Sequence, residues 1–362
     1  MLNMFTLAFN IQPAKAEPRT WTVDDDLQER PNADFKKIQD AVDAAGSGDF
    51  VDVYPGTYIE NIDVNKNNLT IKSESGAKVT IVQAANPKEH VFEVTANYVN
   101  IIGFMVKQVY SPSDYASGIV LNGVENCKIS ENKIDFSSHG IALVTSKNNI
   151  LTNNTIKNAG TGISLRDSSN YNIVKNNTLE VNNYGIFLYS FSYSIGSDKN
   201  TITRNKIMNN YYYGINLRQS NNNVIYLNDF INNADNTHSE YSTNIWNSTE
   251  KITYTYNGKT YTNYLGNYWS DYTESDANND GIGDAPYSID SDKDNYPLVK
   301  PWENYFPPKY SIIKSFSAPS GTQPNGLAWD GENLWMSSYM LNGGIYKLNP
   351  TDGSVLNKYT PQ

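Results

Sequence analysis

The hydrophobic positions of this chain repeat about every 22 residues. The pattern Gly-Ile-x-Leu, where x is any residue, starts at Gly118, Gly140, Gly162, Gly185 and Gly214. Two further apolar positions recur in phase with it, at Ile129, Ile150, Ile173, Ile202 and Val224, and at Ile134, Ile156, Leu179, Ile207 and Phe230. Apolar and polar residues alternate around them, which is the two-residue period of a strand. Each unit therefore predicts three very short strands, with no room for a helix.

The shortness of these strands decides how they pair. Strands of two to five residues cannot pair within one unit, so each pairs with its counterpart in the next unit, about 4.8 Å away. That arrangement is a parallel β-helix, an all-β solenoid, with repeats at about residues 97–233. A leucine-rich repeat would need longer, Leu-dense units, and a β-propeller would need a period of about 40–50 residues.

The 50 asparagines of the sequence suit the corners of such a solenoid. Asparagine tolerates left-handed backbone angles, and its side chain can bond its own backbone. Stacked Asn side chains can also satisfy one another. The composition thus has a structural explanation, which does not extend to the 27 tyrosines.

The N-terminal region predicts a leader and a cap. Residues 1–16 contain a short apolar run and the small-x-small sequence Ala14-Lys15-Ala16, as in an exported leader, but lack its positive start. The start is therefore truncated or misassigned, and a buried N-terminal strand is the alternative. A short amphipathic helix follows, with one face formed by Phe35, Ile38, Ala41, Val42 and Ala45. It predicts the cap that a solenoid needs.

The exit side of the repeats predicts a second cap that contains a cation loop. A hairpin turns at Asn257-Gly258. An Asp-rich loop at 276–284 then places oxygen ligands in calcium-loop order: Asp276, Asn278, Asp280, the Ile282 carbonyl and Asp284. We expect a structural Ca²⁺ ion there. The loop has Tyr287 in place of the usual bidentate Glu, so Asp290, Asp292 or Asp294 would have to replace it, and a solvated turn is the alternative.

The segment 303–362 does not continue the repeat pattern. It reads as a linker followed by strands at 326–330, 333–338 and 344–349, with turns at Asp330-Gly331 and Asp352-Gly353. This resembles a single blade of a β-propeller. One blade cannot close a propeller, which needs about 4–8, so the chain is a fragment or the blade packs on its neighbour.

Specific strings near both ends resemble known β-helix proteins. The cap segment from Pro31 resembles that of pectate-lyase-like and pectin-methylesterase-like β-helices. The string GNYWSDY, continued by DANNDGIGDAPY and DNYPL, closely resembles the NosD-like family of right-handed β-helix proteins, over about residues 20–302. That resemblance implies a right-handed solenoid that is secreted, periplasmic or at the cell surface, in a broader carbohydrate-binding and sugar-hydrolase group. It also implies copper, because founding members assist copper-site assembly of nitrous oxide reductase.

Charge and composition argue against several classes. A net charge of −10 without a basic run argues against a nucleic-acid partner. No apolar stretch is long enough for a membrane-spanning helix. Copper is poorly supported, because His90, His139 and His238 are far apart and neither the methionines nor Cys127 show paired spacing. His139, beside the repeat, is the one plausible ligand.

The outward positions of the Gly-Ile-x-Leu strands predict a binding face. Small residues there, such as Ala142 and Ser164, form a shallow trough between two insertions at 107–117 and 190–199. Its predicted ligand-binding residues are Tyr184, Tyr189, Phe191, Tyr193, Tyr213, Arg166, Arg218 and His139. Aromatic faces with Arg suit an acidic or neutral glycan. Surface tyrosines that only pack the solenoid are the alternative.

Catalysis has less support than binding. A glycosidase needs two carboxylates about 5–9.5 Å apart, yet the acidic residues of the repeats fall in different columns. Asp167, Arg166 and Arg218 form the best candidate trio, although exposed, solvated side chains are the favoured explanation. We therefore expect an exported, non-catalytic module that binds polysaccharide or envelope components, with a partner protein on the solenoid face also possible. A polysaccharide lyase, hydrolase or epimerase and a copper-assembly factor are the alternatives.

Overall fold

The computed structural model describes residues 17–108, 116–190, 196–306, 317–319, 322–330, 332–338 and 344–360. The chain divides into two compact units, residues 1–306 and 307–362, which are described separately below. The predicted leader at 1–16 lies outside the described residues. No helix in the described part of the chain is both long and apolar enough to cross a membrane.

Short strands make up nearly all of the first unit. In chain order its elements are β1 (Thr20–Val23), α1 (Ile38–Ala44), β2 (Phe50–Val53), β3 (Gly56–Ile59), β4 (Ile62–Val64), β5 (Thr70–Ser73), β6 (Thr80–Gln83), β7 (Phe92–Val94), β8 (Asn100–Ile102), β9 (Met105–Lys107), β10 (Ser117–Asn122), β11 (Lys128–Ser130), β12 (Lys133–Asp135), β13 (His139–Val144), β14 (Ile150–Thr152), β15 (Thr155–Lys157), β16 (Thr161–Arg166), β17 (Ile173–Lys175), β18 (Thr178–Glu180), β19 (Tyr184–Tyr189), β20 (Thr201–Thr203), β21 (Lys206–Met208), β22 (Tyr213–Arg218), β23 (Val224–Tyr226), β24 (Asp229–Ile231), β25 (Asp235–Glu240), β26 (Ile252–Tyr256), β27 (Lys259–Asn263), β28 (Tyr268–Trp269), β29 (Tyr287–Ile289), β30 (Asp292–Asp294) and the 3-10 helix Trp302–Tyr305.

Three parallel sheets run along the axis of this unit. Sheet I has nine strands (β1-β2-β5-β8-β11-β14-β17-β20-β23), sheet II has eight (β4-β7-β10-β13-β16-β19-β22-β25) and sheet III has nine (β3-β6-β9-β12-β15-β18-β21-β24-β28). Every strand pairs with its counterpart one turn away, so the predicted right-handed parallel β-helix is confirmed.

The Gly-Ile-x-Leu strands lie in sheet II and stack in register. The isoleucines form one column, Ile119, Ile141, Ile163, Ile186 and Ile215, and the leucines form a second, Leu121, Leu143, Leu165, Leu188 and Leu217. All ten side chains are fully buried in one continuous core. The glycines sit where a Cβ would press on a core side chain and on the next turn's carbonyl, as at Gly140 against Ile156 and Gly162.

Buried asparagines form hydrogen-bonded ladders along the axis. In the ladder Asn132, Asn154, Asn177, Asn205, Asn228 and Asn267, each residue donates its backbone N–H and Nδ2 to the Oδ1 of the next. At Asn154 these two bonds are 2.9 and 3.0 Å long. A second ladder runs through Asn149, Asn172, Asn200, Asn223 and Asn244. Other asparagines, such as Asn153 and Asn176, take the left-handed corner angles that the sequence predicts.

Both ladders end on carboxylates near the C-terminal end of this unit. The Oδ2 atom of Asp294 accepts from Asn267 N (2.7 Å), Asn267 Nδ2 (3.3 Å) and Trp269 Nε1 (3.1 Å). The Oδ2 atom of Asp292 accepts from Asn244 N (2.9 Å) and Trp246 Nε1 (3.3 Å). In each ladder every Asn donates toward the C-terminal end, so the last Asn needs an acceptor that does not donate in turn. An ionised carboxylate is such an acceptor. Asp292 and Asp294 therefore accept the last donors of the two ladders. This role was not predicted from the sequence.

The helix α1 forms the predicted N-terminal cap. Its side chains Ile38, Ala41 and Val42 are buried in the core. The carboxylate of Glu60 accepts hydrogen bonds from the backbone N–H groups of Ile38 (2.9 Å) and Gln39 (3.0 Å), which the first turn leaves unpaired. The predicted hairpin is also present, as β26 and β27 around Asn257-Gly258.

The second unit holds an antiparallel sheet of four strands: β31 (Pro324–Trp329), β32 (Leu334–Ser338), β33 (Gly344–Leu348) and β34 (Val355–Tyr359). The first three strands agree with the prediction from the sequence, and β34 was not predicted. Met336, Tyr346 and Leu348 form its small core. Four antiparallel strands are the size of one propeller blade, and membership of a propeller stays a prediction.

Candidate functional site

The outward side chains of sheet II form three columns, which together we call the outer face. The first column contains Ser117, His139, Thr161, Tyr184, Tyr213 and Asp235. The second contains Glu93, Val120, Ala142, Ser164, Phe187, Asn216 and His238. The third contains Asn122, Val144, Arg166 and Tyr189, followed further along the axis by the paired Arg218 and Glu240.

Aromatic rings cover the outer face over its last turns. The ring of Phe187 lies 5.2 Å from Tyr184 and 4.3 Å from Tyr189. Tyr184 continues to Tyr213 at 6.0 Å, and Tyr213 stacks on the imidazole of His238 at 5.1 Å. We call Tyr184, Phe187, Tyr189 and Tyr213 the aromatic end. Their side chains are all partly exposed, so the ring stack is accessible from solvent.

An open cleft of about 290 Å³ lies against the aromatic end. It is lined by Phe187, Tyr189, Ser190, Arg218, Gln219, Glu240 and Tyr241. The guanidinium of Arg218 lies over the Phe187 ring, 5.6 Å from its centre, and pairs with the Glu240 carboxylate at 3.3 Å. The structure thus brings together the predicted Tyr189 and Arg218. Glu240 and Tyr241 were missed, because β25 lacks the Gly-Ile-x-Leu pattern, although the 22-residue offset from Arg218 points to Glu240.

The earlier turns of the outer face carry several polar side chains beside the apolar Val120, Ala142 and Val144. His139 and Ser117 occupy neighbouring turns of the first column, and Ser117 N donates to His90 Nδ1 at 2.9 Å. Ser164 and Arg166 lie on the next strand, β16, two residues apart and hence on the same face. We call His90, Ser117, His139, Ser164 and Arg166 the polar end.

Burial and the Arg166 charge set the protonation of the polar end. Burial lowers the pKa of His139 to about 4, the Arg166 cation adds to that shift, and His90 adds to it when protonated. Burial also lowers the pKa of His90, with Glu93 acting in the opposite sense and Arg166 in the same sense. The imidazole of His139 is therefore neutral at pH 7.

The expected shallow trough of small residues is not open. Val120, Ala142 and Ser164 are at most 2% exposed, and Asn216 on the far side of Phe187 is 1% exposed. Among the described residues of the outer face, the partly exposed rings of Phe187 and Tyr189 instead border the cleft at the aromatic end. Phe191 and Tyr193 lie outside the described residues, so their predicted role is not placed.

The predicted catalytic trio contains one carboxylate, that of Asp167. Asp167 lies in the turn after β16, where its Oδ1 accepts from Ser190 Oγ at 3.1 Å. The carboxylate that lines the cleft, Glu240, is on a strand three turns away. Three strand spacings amount to about 14 Å, which exceeds the separation that glycosidases use. Among the described residues, Asp167 and Glu240 therefore lie too far apart to act as the two acids of a glycosidase.

The loop at 276–284 folds around its own backbone. Asp276 accepts from the N–H groups of Asp280 (3.1 Å) and Gly281 (2.9 Å), and Asp280 accepts from Ile282 N (2.9 Å). Asp284 accepts from Ala277 N (2.9 Å), and Asn278 Oδ1 accepts from Asp280 N (2.9 Å). Within the described residues, Asp24, Asp26 and Glu29 are the only three acidic, His or Cys side chains whose ligand atoms lie within 4.8 Å of one another. Calcium in the loop stays a prediction.

The described side chains do not fit a copper site. His90 and His139 lie two turns apart with Ser117 between them, and the Arg166 cation acts on both imidazoles while Glu93 acts on His90. A guanidinium beside both imidazoles opposes a bound metal cation. Cys127 is buried and its thiol donates to the Ala96 carbonyl at 3.4 Å, while Met105 and Met208 lie on sheet III. None of the described sulfur ligands lies on the face that carries the two histidines.

The fold and this face define a right-handed β-helix protein with an aromatic surface cleft. The chain belongs to the family described as periplasmic copper-binding protein (NosD), whose model matches residues 42–274. The matched residues cover the repeats and end before the Asp-rich loop at 276–284.

Individual relatives match less of the chain. A cell surface glycoprotein of Methanothermus fervidus is 30% identical over 197 residues, which is 53% of this chain and 32% of the relative. The chain thus spans about a third of that relative. An alginate lyase from a Paenibacillus species aligns with a TM-score of 0.37 at 13% identity, covering 63% of this chain and 98% of the other. The A-module of an Azotobacter vinelandii mannuronan C-5 epimerase aligns at 0.40 and 15% identity, covering 56% and 71%.

Proposed function

We propose that this protein is an extracytoplasmic module that binds a saccharide chain, without cleaving it, in the cleft at its aromatic end. The observation that carries the proposal is the partly exposed stack of Tyr184, Phe187 and Tyr189 beside an open cleft. Flat aromatic faces with a few polar groups are how proteins hold ligands with apolar faces and polar rims. Arg218 and Glu240 at the edge of the cleft supply a donor and an acceptor for hydroxyl groups.

The proposed location rests on separate support. The family is described as periplasmic, and the Methanothermus fervidus relative is named a cell surface glycoprotein. The sequence of residues 1–16 adds the predicted leader. An elongated solenoid outside the cell would present its outer face to envelope polymers.

The spacing of the described acids supports binding without hydrolysis. Glu240 lines it and is paired with Arg218 at 3.3 Å, while Asp167 is about three strand spacings, or roughly 14 Å, away. Two carboxylates at that distance do not form an acid and base pair around one glycosidic bond.

Native electrophoresis through gels containing neutral or acidic cell-wall polysaccharides tests the proposal. At least one polysaccharide should retard the wild-type protein. Tyr189→Ala should reduce the retardation, because the affinity should fall about 30-fold. That corresponds to about 2 kcal/mol, the usual loss for a central aromatic contact. Tyr98→Ala is the matched control, since Tyr98 is an exposed tyrosine at a corner outside the cleft.

Three results would contradict the proposal. If no polysaccharide retards the wild type, the protein does not bind saccharide chains. If the wild type and Tyr189→Ala are retarded equally, the cleft is not the binding site. Shortened or unsaturated products after incubation would make the protein a hydrolase or lyase instead.

A further inference from the structure

A second groove lies at the corner of the solenoid that leads from sheet III into sheet II. Its volume is about 230 Å³, and Phe136 and Tyr211 are among the residues that line it. Phe136 directly follows β12, and Tyr211 lies in the turn after β21, three strands further along sheet III. The two turns are therefore about 14 Å apart along the axis. We call this groove the corner groove, and it shares no lining residue with the cleft at the aromatic end.

The two aromatic side chains of the corner groove are open to solvent. Phe136 is 56% exposed and Tyr211 is 61% exposed. Neither ring contacts another ring among the described residues, so neither is held in an aromatic cluster. Apolar side chains scattered singly over a surface are ordinary, whereas rings gathered in one groove are typical of a ligand site.

The floor between the two rings is small and uncharged. Ala159 and Gly160 line it on one turn and Val181 on the next, and no charged side chain is among the lining residues. Asn158 and Asn183 add side-chain amides, and that of Asn183 has no hydrogen bond to any described residue. The corner groove thus combines flat apolar faces with amide donors and acceptors, and carries no charge.

The backbone at this corner suits asparagine better than an aromatic residue. The five residues that follow successive strands of sheet III all have left-handed φ angles of 51–59°: Phe136, Asn158, Val181, Asn209 and Asn232. Asn takes this angle more readily than other residues with a side chain. An exposed ring at such a corner is not confined to the groove, because Tyr98 combines both features elsewhere. Phe136 differs from Tyr98 in having a second ring and an uncharged floor in the same groove.

A neighbouring tyrosine connects the corner groove to the aromatic end. Tyr212 follows Tyr211 in the chain, is 54% exposed, and has its ring 5.5 Å from that of Tyr184. The turn from Asn210 to Tyr213 contains one residue more than the matching turn of the preceding repeat. Insertions in repeat proteins tend to lie on the binding face. Exposed rings therefore continue from the cleft across sheet II to the corner groove.

We propose that the corner groove is a second saccharide site, which holds an uncharged stretch of a saccharide chain between Phe136 and Tyr211. The ligand class rests on the proposed function, and the site is additional to the cleft. The rings contact the apolar faces of the sugars, and the amides of Asn158 and Asn183 bond their hydroxyl groups. A polymer that contacts both sites binds more tightly than one that contacts either alone.

Electrophoresis through gels containing hydroxyethyl cellulose or galactomannan, two neutral polymers, tests this site. At least one polymer should retard the wild type. Phe136→Asn should lower the affinity for that polymer by about 5-fold or more, because one ring contact is lost. Its melting temperature should stay the same or rise, since Asn suits the left-handed corner. Tyr211→Ala, in the other turn, should also lower the affinity.

Two further variants separate ring stacking from changes in the fold. Phe136→Trp keeps a flat ring in the groove and should keep the retardation. Tyr98→Asn is the matched control, because it makes the same kind of replacement at an exposed left-handed corner outside both sites. It should leave the retardation unchanged.

The outcomes distinguish the corner groove from the cleft. If retardation falls in Tyr189→Ala but not in Phe136→Asn or Tyr211→Ala, the corner groove is not a saccharide site and the proposed function stands. If it falls only in the two corner variants, the corner groove binds the polymer and the cleft does not. If neither neutral polymer retards the wild type, the corner groove is rejected. The proposed function fails with it only when no acidic polysaccharide retards the protein either.

Sedimentation velocity tests the other occupant that an aromatic groove could take, a second copy of this chain. The wild type should sediment as a monomer, or as an oligomer that Phe136→Asn does not change. Self-association that Phe136→Asn abolishes, with unchanged retardation by both polymers, would assign the groove to a second copy and overturn the proposal.

Discussion

The two faces of the same strands in sheet II follow opposite rules. On the inner face, isoleucine and leucine recur at five successive turns, and every one of these side chains is fully buried. On the outer face, the middle column reads Val120, Ala142, Ser164, Phe187, Asn216 and His238, with a different residue at each turn. Backbone and register are shared, so packing alone cannot explain the variation.

This difference indicates which residues determine stability and which determine binding. The repeat persists where one turn must fit on the next, in the inner columns and in the Asn ladders. It disappears on the outer face, where rings, a cleft and polar side chains gather at particular turns. Changes to the interior should therefore alter stability, and changes to the outer face should alter binding.

Replacing the carboxylate that ends the first Asn ladder should have the largest effect. Asp294→Ala leaves three donors unpaired: Asn267 N, Trp269 Nε1 and Tyr296 N. Asn267 Nδ2 loses one acceptor and keeps the carbonyls of Ile225 and Trp246. Burial raises the pKa of Asp294 to about 6, so the carboxylate is ionised at pH 8. We expect a loss of about 4 kcal/mol or more in urea unfolding at that pH.

The matched control for this change is Asp290→Asn. Asp290 is exposed, accepts one backbone bond from Ser239, and has the left-handed angle that Asn tolerates. It should cost less than about 1 kcal/mol. Equal losses for the two variants would show that the end of the ladder is not special.

Interrupting the ladder in its middle should come next. Asn177→Ala removes the acceptor of Asn154 N and Asn154 Nδ2 and empties a fully buried position. We expect a loss of about 3 kcal/mol in the free energy of unfolding. Asn176→Gly, at the exposed left-handed corner beside it, should be close to neutral because Gly accepts that angle. A neutral Asn177→Ala would contradict the structural explanation of the asparagines.

A buried acid on sheet III should make stability depend on pH. Burial and the neighbouring Glu303 raise the pKa of Asp229 above its usual 3.8, while Lys206 opposes them. The unfolded chain therefore loses this proton at lower pH than the folded chain, so the contribution of Asp229 to stability falls as pH rises above about 4.

The variant Asp229→Asn removes this titration. It can still accept from Trp302 N, which donates to Asp229 Oδ1 at 2.9 Å. In urea unfolding at pH 4 and pH 8 we expect it to be more stable than the wild type at pH 8, by about 1–2 kcal/mol, and similar at pH 4. A variant that is less stable at both values would contradict the assignment.

Calcium should have the smallest effect of these. If the loop at 276–284 holds Ca²⁺, a chelator should lower the melting temperature by a few degrees, equivalent to about 1 kcal/mol for a site with incomplete ligands. Asp276→Asn should reduce that response. An unchanged melting temperature with and without chelator would reject the ion.

The sequence predicted the structural features that follow from the repeat period. The three strands per turn, the inward Ile and Leu columns and the Asn corners all follow from spacing, because a stacked repeat must place equal residues at equal heights. The aromatic end was found for the same reason, since Phe187 and Tyr189 hold fixed positions in a Gly-Ile-x-Leu unit.

What the sequence did not predict lies where the period ends. Asp292 and Asp294 were considered as calcium ligands, but their oxygens accept from Asn and Trp donors 25 to 48 residues away in the chain. No spacing rule signals such pairing. Glu240 and Tyr241 belong to a turn without the repeat pattern, and the burial of Ser164 was not predicted from its outward position on a strand.

The most direct test of the account compares two adjacent residues of β19 in one pair of measurements. Ile186 belongs to the inner face and is fully buried, whereas Phe187 belongs to the outer face and lines the cleft. Melting temperature and retardation by a polysaccharide that binds the wild type are measured for Ile186→Ala and Phe187→Ala. Ile186→Ala should lose about 2–5 kcal/mol of stability and keep its binding while folded, and Phe187→Ala should keep most of its stability and lose retardation. Parallel changes of stability and binding in both variants would contradict the separation of the two faces.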